Sequence, residues 1–290
     1  MDKFLNPFDH FTIPFGDWAE NFIATMVDGS RDTLIAAKIP IHAVLEAIRD
    51  LLLAMPPSIG IVAVTVAGYL LGGVRLAALG FVCLVGVGLI GLWDAAMTTL
   101  AIALAAVAIC IVIGLPLGIL AARSETLDRV MRPILDLMQT TPSFVYLVPI
   151  VMLFGIGDVP GVIVTCFYAT APLIRLTNLG IRQARADLVE AARAFGASEL
   201  RVLYDIQLRL ARPTILAGLN QTVLMSLSMA VVASMISVAG LGRVVLEGIG
   251  RLDFGRATVG GLGIVLTAIL VDRYVQALGV ARPRLARGSA

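Results

Sequence analysis

The chain has two histidines and three cysteines, and they form no pattern typical of a metal site or a nucleophilic centre. His10 and His42 have no partners at the spacing of a metal site, so no bound metal is expected. Cys83, Cys110 and Cys166 lie within apolar stretches, where cysteine acts as a small packing residue. The sequence therefore indicates neither a catalytic nor a metal centre.

A phosphate-binding loop is also missing from the sequence. ATP-binding loops of the Walker type follow the pattern G-x-x-x-x-G-K-[ST], in which the lysine contacts the phosphates. The two lysines, Lys3 and Lys38, do not follow glycine. We therefore predict that the chain is not an enzyme and that any ATP hydrolysis takes place on another subunit.

The composition is that of a membrane protein. The chain is 59% hydrophobic and 14% charged, whereas about a quarter of the residues of a soluble domain are charged. A membrane-spanning helix needs roughly 20 mostly apolar residues. The uncharged blocks are 58–74, 76–92, 95–122, 143–157, 159–174, 214–239 and 257–271. We therefore predict an all-α integral membrane protein with about seven transmembrane helices, in which the short blocks 143–157 and 159–174 borrow flanking residues.

The chain divides into three parts by composition. Residues 1–57 form an extracytoplasmic or interfacial tail, 58–280 the transmembrane domain, and 281–290 an Arg-rich cytoplasmic tail. Aromatic residues recur at helical spacing from Phe4 to Phe22, but the prolines and a glycine among them argue against one continuous helix. An amphipathic helix is predicted from Pro40, in its first turn, to Met55. This helix either lies on the outer membrane interface or packs on the bundle.

The arginines set the expected orientation. With seven spans, one side receives Arg123, Arg129, Arg132 and the arginine-rich segment 175–212. Lysine and arginine close to spans favour the cytoplasm. The N-terminus is therefore expected outside, and the C-terminus and segment 187–213 inside the cell.

The uncharged blocks limit how transport could be driven. Charged residues and histidines within spans mark proton relays and voltage sensors, and these blocks contain no Asp, Glu, Lys, Arg or His. The absence of such residues favours a transport subunit that depends on a separate ATPase. The alternative hypothesis is a secondary transporter or a channel subunit for small polar solutes.

Neutral polar residues are the candidates for lining a translocation pathway. Small hydroxyls inside spans often form hydrogen bonds between helices, and this explains most of the serines of block 214–239. Asn220 and Gln221 are larger, and burying an unpaired amide is costly. The candidates are Tyr146, Asn220, Gln221, Thr222 and Ser226, and for Tyr146 ordinary packing is the alternative.

The basic segment 187–213 is predicted to fold as two helices joined by a sharp turn. Asp187 and Glu190 have the spacing of a capping box, and Gly196 suits a helix end. Ser198 can cap the next helix. The first helix has an apolar face formed by Leu188, Ala191, Ala192 and Phe195. An exposed apolar face is typical of a contact with a partner, whereas packing under the chain's own spans is the alternative.

This segment resembles the cytoplasmic loop of ABC importer permeases. The pattern E-A-A-x(3)-G matches at Glu190, Ala191, Ala192 and Gly196, and the later isoleucine matches at Ile206. Arg209 replaces the usual proline. The resemblance implies that Glu190, Ala191, Ala192, Phe195 and Gly196 belong to a coupling helix that docks on the ATPase subunit.

Longer stretches are similar to the glycine betaine/proline permeases, which include importers of choline and related methylamines. They are "MQTTPSFVYLVPIVMLFGIGDVPG", "GLNQTVLMSLSMAVVASMISVAGLG" and "RLDFGRATVGG". The resemblance implies a type I ABC importer in the bacterial inner membrane, which takes up quaternary ammonium osmolytes. It does not choose among glycine betaine, proline, choline, carnitine and trimethylamine N-oxide.

The same resemblance implies the partners. They are a second copy of the chain, two ATPase subunits that bind ATP and magnesium, and an extracytoplasmic binding protein, with no nucleic acid. Since the sequence ends in a short tail at Ala290, the binding protein is expected to be a separate chain. Arg243, Glu247 and Arg251, in the loop before the last span, are candidates for docking it, and an ordinary solvated loop is the alternative.

Overall fold

The computed structural model describes residues 14–280, and within this range the regular elements are all helical. The all-α class is therefore confirmed. The helices are α1 (Phe15–Ala54), α2 (Pro57–Gly72), α3 (Val74–Leu89), α4 (Trp93–Arg123), α5 (Glu125–Thr140), α6 (Leu147–Phe154), α7 (Asp158–Arg182), α8 (Ala186–Ala194), α9 (Glu199–Arg201), α10 (Leu208–Val232), α11 (Leu241–Gly250) and α12 (Phe254–Val280). A π-helical segment, Val202–Gln207, makes α9 and α10 one continuous helix.

Fewer helices than the seven predicted meet the length and composition of a membrane span. In the described residues, α4, α7, the α9–α10 helix and α12 are long and apolar enough, and two bent pairs raise the count to six. In the first pair α2 follows α1 at 102°, and in the second the Ser143–Phe154 segment follows α5 at 108°. Block 143–157 is not a straight span, because it consists of a 3₁₀ turn and the short α6. The apolar α3 has 16 residues, about 24 Å of helix against a hydrocarbon core of about 30 Å.

The N-terminal helix begins earlier than predicted and ends close to the predicted position. The helix α1 is continuous from Phe15 to Ala54, so Pro40 lies inside it and does not start it. A proline in a helix costs one hydrogen bond, and packing compensates for that loss here. Leu45 is fully buried against α4 and its neighbours, and Ile41 and Ile48 pack beside it. The amphipathic stretch therefore packs on the bundle, which was one of the two alternatives. Phe4, Phe8 and Phe11 lie outside the described residues.

The core of the bundle is built by α4, α7 and α10, which approach one another closely at small residues. A Cβ added to Gly118 on α4 would lie 2.6 Å from the Cβ of Thr177 on α7. A Cβ added to Gly218 on α10 would lie 3.0 Å from that of Leu176. Because the backbones are this close, these three helices form one packed unit that fixes the positions of the loops at both ends.

At one end of the bundle, polar contacts join α4, α5 and α7. Asp128 on α5 is buried and accepts hydrogen bonds from Asn178 and Arg132, both at 2.6 Å. Arg182 on α7 donates to the carbonyl oxygen of Ala121 at 2.9 Å. The segment that begins with α8 leaves from this end, immediately after α7, so its starting point is firmly held.

The cysteines pack within the bundle. Cys83 and Cys110 are buried and Cys166 is partly buried. The thiol of Cys166 lies 3.5 Å from the carbonyl oxygen of Ala106, and the hydroxyl of Thr170 donates to the sulfur of Cys110 at 3.0 Å. Their predicted role as small packing residues is consistent with these contacts between α4 and α7.

Candidate functional site

The segment predicted to couple to a partner folds as a helix, a turn and a second helix. Gly196 has a φ of +80°, the left-handed conformation that suits glycine at a helix end. Its amide donates to the carbonyl oxygen of Arg193 at 2.9 Å, which closes the turn. Ser198 then caps the next helix, because its hydroxyl accepts from the amide of Arg201. The predicted turn and second cap are therefore correct.

The start of α8 differs from the predicted capping box. Arg185 is the N-cap and has no capping side chain, so Asp187 lies inside the first turn. Its carboxylate instead accepts hydrogen bonds from Arg185, and this contact lowers the pKa of Asp187 below its usual range. An ion pair between residues two positions apart in the sequence takes the place of the expected cap. The negative charge of Asp187 in the first turn also interacts favourably with the helix dipole.

One face of α8 is exposed and apolar, and the other rests on the bundle. Leu188 and Ala191 are exposed, and Phe195, at the end of the helix, is 91% exposed. We call these three residues the α8 surface. Val189 is buried on the opposite face, where α8 contacts the π-helical segment. Ala192 is half-buried, so its side chain is less available to a partner than that of Ala191.

An ion pair connects the two helices across the turn. Arg193 on α8 donates two hydrogen bonds to the carboxylate of Glu199, at 2.8 and 3.0 Å. This pair and the left-handed Gly196 both lie at the turn between α8 and the second helix. Glu190, another predicted coupling residue, is exposed on α8.

Two further apolar side chains follow the turn and were missed in the sequence. Leu200 and Tyr204 are both largely exposed. They are four residues apart, a spacing that places two side chains on the same helix face. This spacing is visible in the sequence, but it lies outside the motif around Gly196. Segment 187–213 therefore exposes more apolar area than the five predicted coupling residues alone.

The pathway candidates on α10 point in different directions. Thr222 is buried, and its hydroxyl donates to the carbonyl oxygen of Ala169 on α7 at 2.9 Å. Ser226 is buried, four residues further along the same face, while Gln221 is exposed. Within the described residues, neither the Ser226 hydroxyl nor the side-chain oxygen of Asn220 has a hydrogen-bond partner. Thr222 and Ser226 therefore lie on the packed side of α10, whereas Gln221 lies on its exposed side.

Tyr146 lies apart from them, where the chain bends between α5 and α6. Its hydroxyl donates to the carbonyl oxygen of Leu137 at 2.9 Å, and its ring packs on Phe167 with centroids 5.1 Å apart. Both contacts stabilise the bend. A small cavity of about 120 Å³ lies elsewhere, between α4, α10 and α12, with Thr99, Ser228 and Thr267 among its lining residues.

The candidates for binding-protein docking lie in the hairpin formed by α11 and α12. Glu247 accepts from Arg243 at 2.8 Å and from Arg256 at 2.7 Å, so its carboxylate bridges the two helices. The Arg243 contact holds the pKa of Glu247 below its usual range. Arg251 is exposed just after α11 and has no ion pair within the described part of the chain. Ile249, Leu252 and Phe254 add exposed apolar area at the same tip.

Comparison with known proteins gives close relatives. The family described as "Binding-protein-dependent transport system inner membrane component" matches residues 114–280. The glycine betaine/proline betaine transport system permease protein ProW of Escherichia coli (strain K12) is 51% identical over 275 residues, 95% of this chain and 78% of that protein. The glycine betaine transport system permease protein OpuAB of Bacillus subtilis (strain 168) is 41% identical over 201 residues, 69% of this chain and 71% of that protein.

A solved structure shares the fold. An inward-facing conformation of the MetNI methionine ABC transporter superposes with a TM-score of 0.57 and 23% identity, over 68% of this chain and 94% of that one. At this identity the likeness concerns the arrangement of the helices alone.

Proposed function

The chain belongs to the family of binding-protein-dependent transport system inner membrane components, and we propose that it is the permease subunit of an ATP-driven importer of glycine betaine or a related methylated solute. Membership of the family implies an ATPase and a substrate-binding protein as partners. The high identity to glycine betaine permeases supports this substrate class.

The α8 surface is the observation that carries the proposed coupling. Phe195 has almost its whole side chain in solvent, beside a turn that Gly196, Ser198 and the Arg193–Glu199 pair hold rigid. A large exposed aromatic on a rigid element is typical of an anchor that fills a pocket on a partner. In the proposed importer the α8 surface docks on the ATPase, and the rigid turn transmits ATPase closure into the α9–α10 helix.

Two copies of the chain and two ATPases form the proposed assembly, with the end that carries α8 in the cytoplasm. This orientation is supported by the arginines at that end, which include Arg123, Arg182 and Arg185. The opposite end, with the α11–α12 hairpin, then faces the binding protein. Arg251 and the apolar tip of the hairpin are the groups that we assign to that contact.

Uptake in vesicles that contain all subunits tests this function. The chain is reconstituted with its ATPase, and the binding protein is added outside with labelled glycine betaine, proline, choline, carnitine or trimethylamine N-oxide. ATP-dependent accumulation of at least one methylated solute is expected. Accumulation that proceeds without ATP would instead support a secondary transporter or a channel.

Substitution of Phe195 tests the coupling. Phe195→Asp should abolish the stimulation of ATP hydrolysis by loaded binding protein, while Phe195→Leu should retain most of it. Ala191→Asp should act like Phe195→Asp. Ala192→Asp is a less informative variant, because Ala192 is half-buried and a charge there would disturb the packing of α8 itself. Normal stimulation in both Phe195→Asp and Ala191→Asp would exclude α8 as the coupling element.

A further inference from the structure

An apolar cavity of about 360 Å³ is lined by residues of α2, α4 and α12. Its wall on α2 is formed by Gly60, Ala63, Val64 and Ala67, which recur at helical spacing, and three of these four residues are small. Trp93 on α4 closes the cavity beside Gly60, where an added Cβ would lie 3.2 Å from the indole ring. Tyr274 on α12 lines the other end. Small residues usually bring helices into contact, whereas here they leave a space.

Water does not suit this cavity. A buried water needs two to four polar partners, and apolar cavities stay dry and bind apolar ligands. Trp93 and Tyr274 supply the polar side-chain atoms of the lining, and the Tyr274 hydroxyl already donates to the carbonyl oxygen of Val64 at 2.8 Å. An occupant must therefore be almost wholly apolar.

The cavity opens to the surroundings beside Ala63, which is exposed. Lining atoms that face an unfilled apolar space lose packing partners, so an apolar occupant is favoured. The volume falls within the roughly 300–1,000 Å³ that is usual for ligand pockets. The cavity is also elongated, because the eight residues from Gly60 to Ala67 extend about 10 Å along α2.

The location decides the chemistry of the occupant. Both α4 and α12 are long and apolar enough to span the membrane, and α2 forms part of a bent span. Hydrocarbon tails therefore surround this part of the chain. We propose that the cavity binds one acyl chain of a bilayer phospholipid, which fills the gap between α2 and α4. Leu52 and Met55 also line the cavity, so the acyl chain packs against the 102° bend between α1 and α2 as well.

Tryptophan quenching by brominated lipid tests this site. The chain has two tryptophans, so Trp18→Phe leaves Trp93 as its single reporter. The full-length variant is reconstituted in vesicles with increasing fractions of phosphatidylcholine that carries bromine on its acyl chains. We expect strong quenching of Trp93 that saturates at a low fraction of brominated lipid. When Ala63→Phe is added to fill the cavity, this saturable quenching should disappear.

A matched control distinguishes lipid bound in the cavity from lipid that contacts the outside of the bundle. Leu70 is 78% exposed on the same helix, so Leu70→Phe adds an aromatic ring outside the cavity and should leave the quenching unchanged. Native mass spectrometry should show a retained phospholipid in the Leu70→Phe variant and its loss in Ala63→Phe. If Ala63→Phe fails to fold, Ala67→Leu replaces it as a smaller filling substitution. Equal quenching in the filled and control variants, no retained lipid, or the mass of a free fatty acid would each overturn the proposal.

Discussion

Arg49 on α1 donates a hydrogen bond to the carboxylate of Asp158, the first residue of α7 and 109 positions away in the sequence. The second oxygen of Asp158 accepts from the amide of Ala239 at 3.0 Å, in the segment between α10 and α11. Glu46 accepts another hydrogen bond from Arg49 at 3.0 Å. One carboxylate therefore connects the N-terminal helix, the core of the bundle and the segment that leads to the α11–α12 hairpin.

Removal of Arg49 should destabilise this end of the bundle. Arg49→Ala leaves Asp158 partly buried without its cationic partner, and a lost hydrogen bond to a charged group costs about 1.5–3 kcal/mol. We expect a lower midpoint of thermal unfolding for the purified chain in detergent. Lys38→Ala removes a cation from the same helix outside this network and should change the midpoint little. Equal midpoints for the two variants would show that the Arg49–Asp158 contact contributes no net stability.

The contact of Tyr274 with two glycines leads to a second prediction. A Cβ on Gly80 of α3 would lie 2.2 Å from the Tyr274 hydroxyl, and one on Gly68 of α2 would lie 2.3 Å from it. Gly80→Ala should therefore displace the tyrosine and weaken the packing of the α2–α3 hairpin on α12. We expect reduced thermal stability, and partial recovery when Tyr274→Phe removes the clashing oxygen.

The control for this prediction lies on the same helix. A Cβ added to Gly88 would meet no neighbouring side chain or helix within 4 Å, so Gly88→Ala should be neutral or slightly stabilising, since alanine favours helix over glycine. If Gly80→Ala and Gly88→Ala behave alike, the tyrosine can move at no cost and does not hold the hairpin.

The sequence predicted local features of the site well and long-range contacts poorly. The helix end at Gly196 and the cap at Ser198 depend on neighbouring residues, so they could be inferred from the pattern. The Asp187 cap was wrong because Arg185 pairs with that carboxylate. The helix start predicted at Pro40 was wrong, because packing of α1 on α4 outweighs the preference of proline for the first turn of a helix. The Tyr274–Val64 bond joins residues 210 positions apart, and hydrophobic periodicity carries no information about such pairs.

A single charge in the α11–α12 hairpin tests binding-protein docking, and Arg251 suits this test better than Arg243. Arg243 pairs with Glu247 inside the hairpin, so its reversal would disturb the fold of the loop. Arg251→Glu changes an exposed charge without breaking an ion pair of the described residues. We expect weaker uptake at limiting binding protein and partial rescue by excess, because a lost docking contact raises the concentration needed.

Arg256→Gln is the matched control for Arg251→Glu. It breaks the Arg256–Glu247 ion pair within the hairpin. It should lower the thermal stability of the chain more than it changes the dependence of uptake on the concentration of binding protein. An unchanged dependence in Arg251→Glu would favour an ordinary solvated loop.

Reporter fusions test the topology, which depends on whether α3 crosses the membrane. The six candidate spans leave both ends of the chain on the same side. Only the single residue Gly73, with a φ of +76°, separates α2 from α3, and the two helices pack closely against each other. Such a link forces an antiparallel hairpin, so if α2 crosses, α3 returns, and the chain then has seven crossings with its ends on opposite sides.

We therefore expect reporters fused after residues 94, 157 and 248 to be active outside the cell, and those after 130, 195 and 285 to be active inside. The short length of α3, about 24 Å, can be accommodated by local thinning of the bilayer. A fusion after residue 73 should be active inside, since it reports the tip of the hairpin. External activity after residue 73, or a cytoplasmic N-terminus together with a cytoplasmic C-terminus, would show that α2 and α3 do not both cross the membrane.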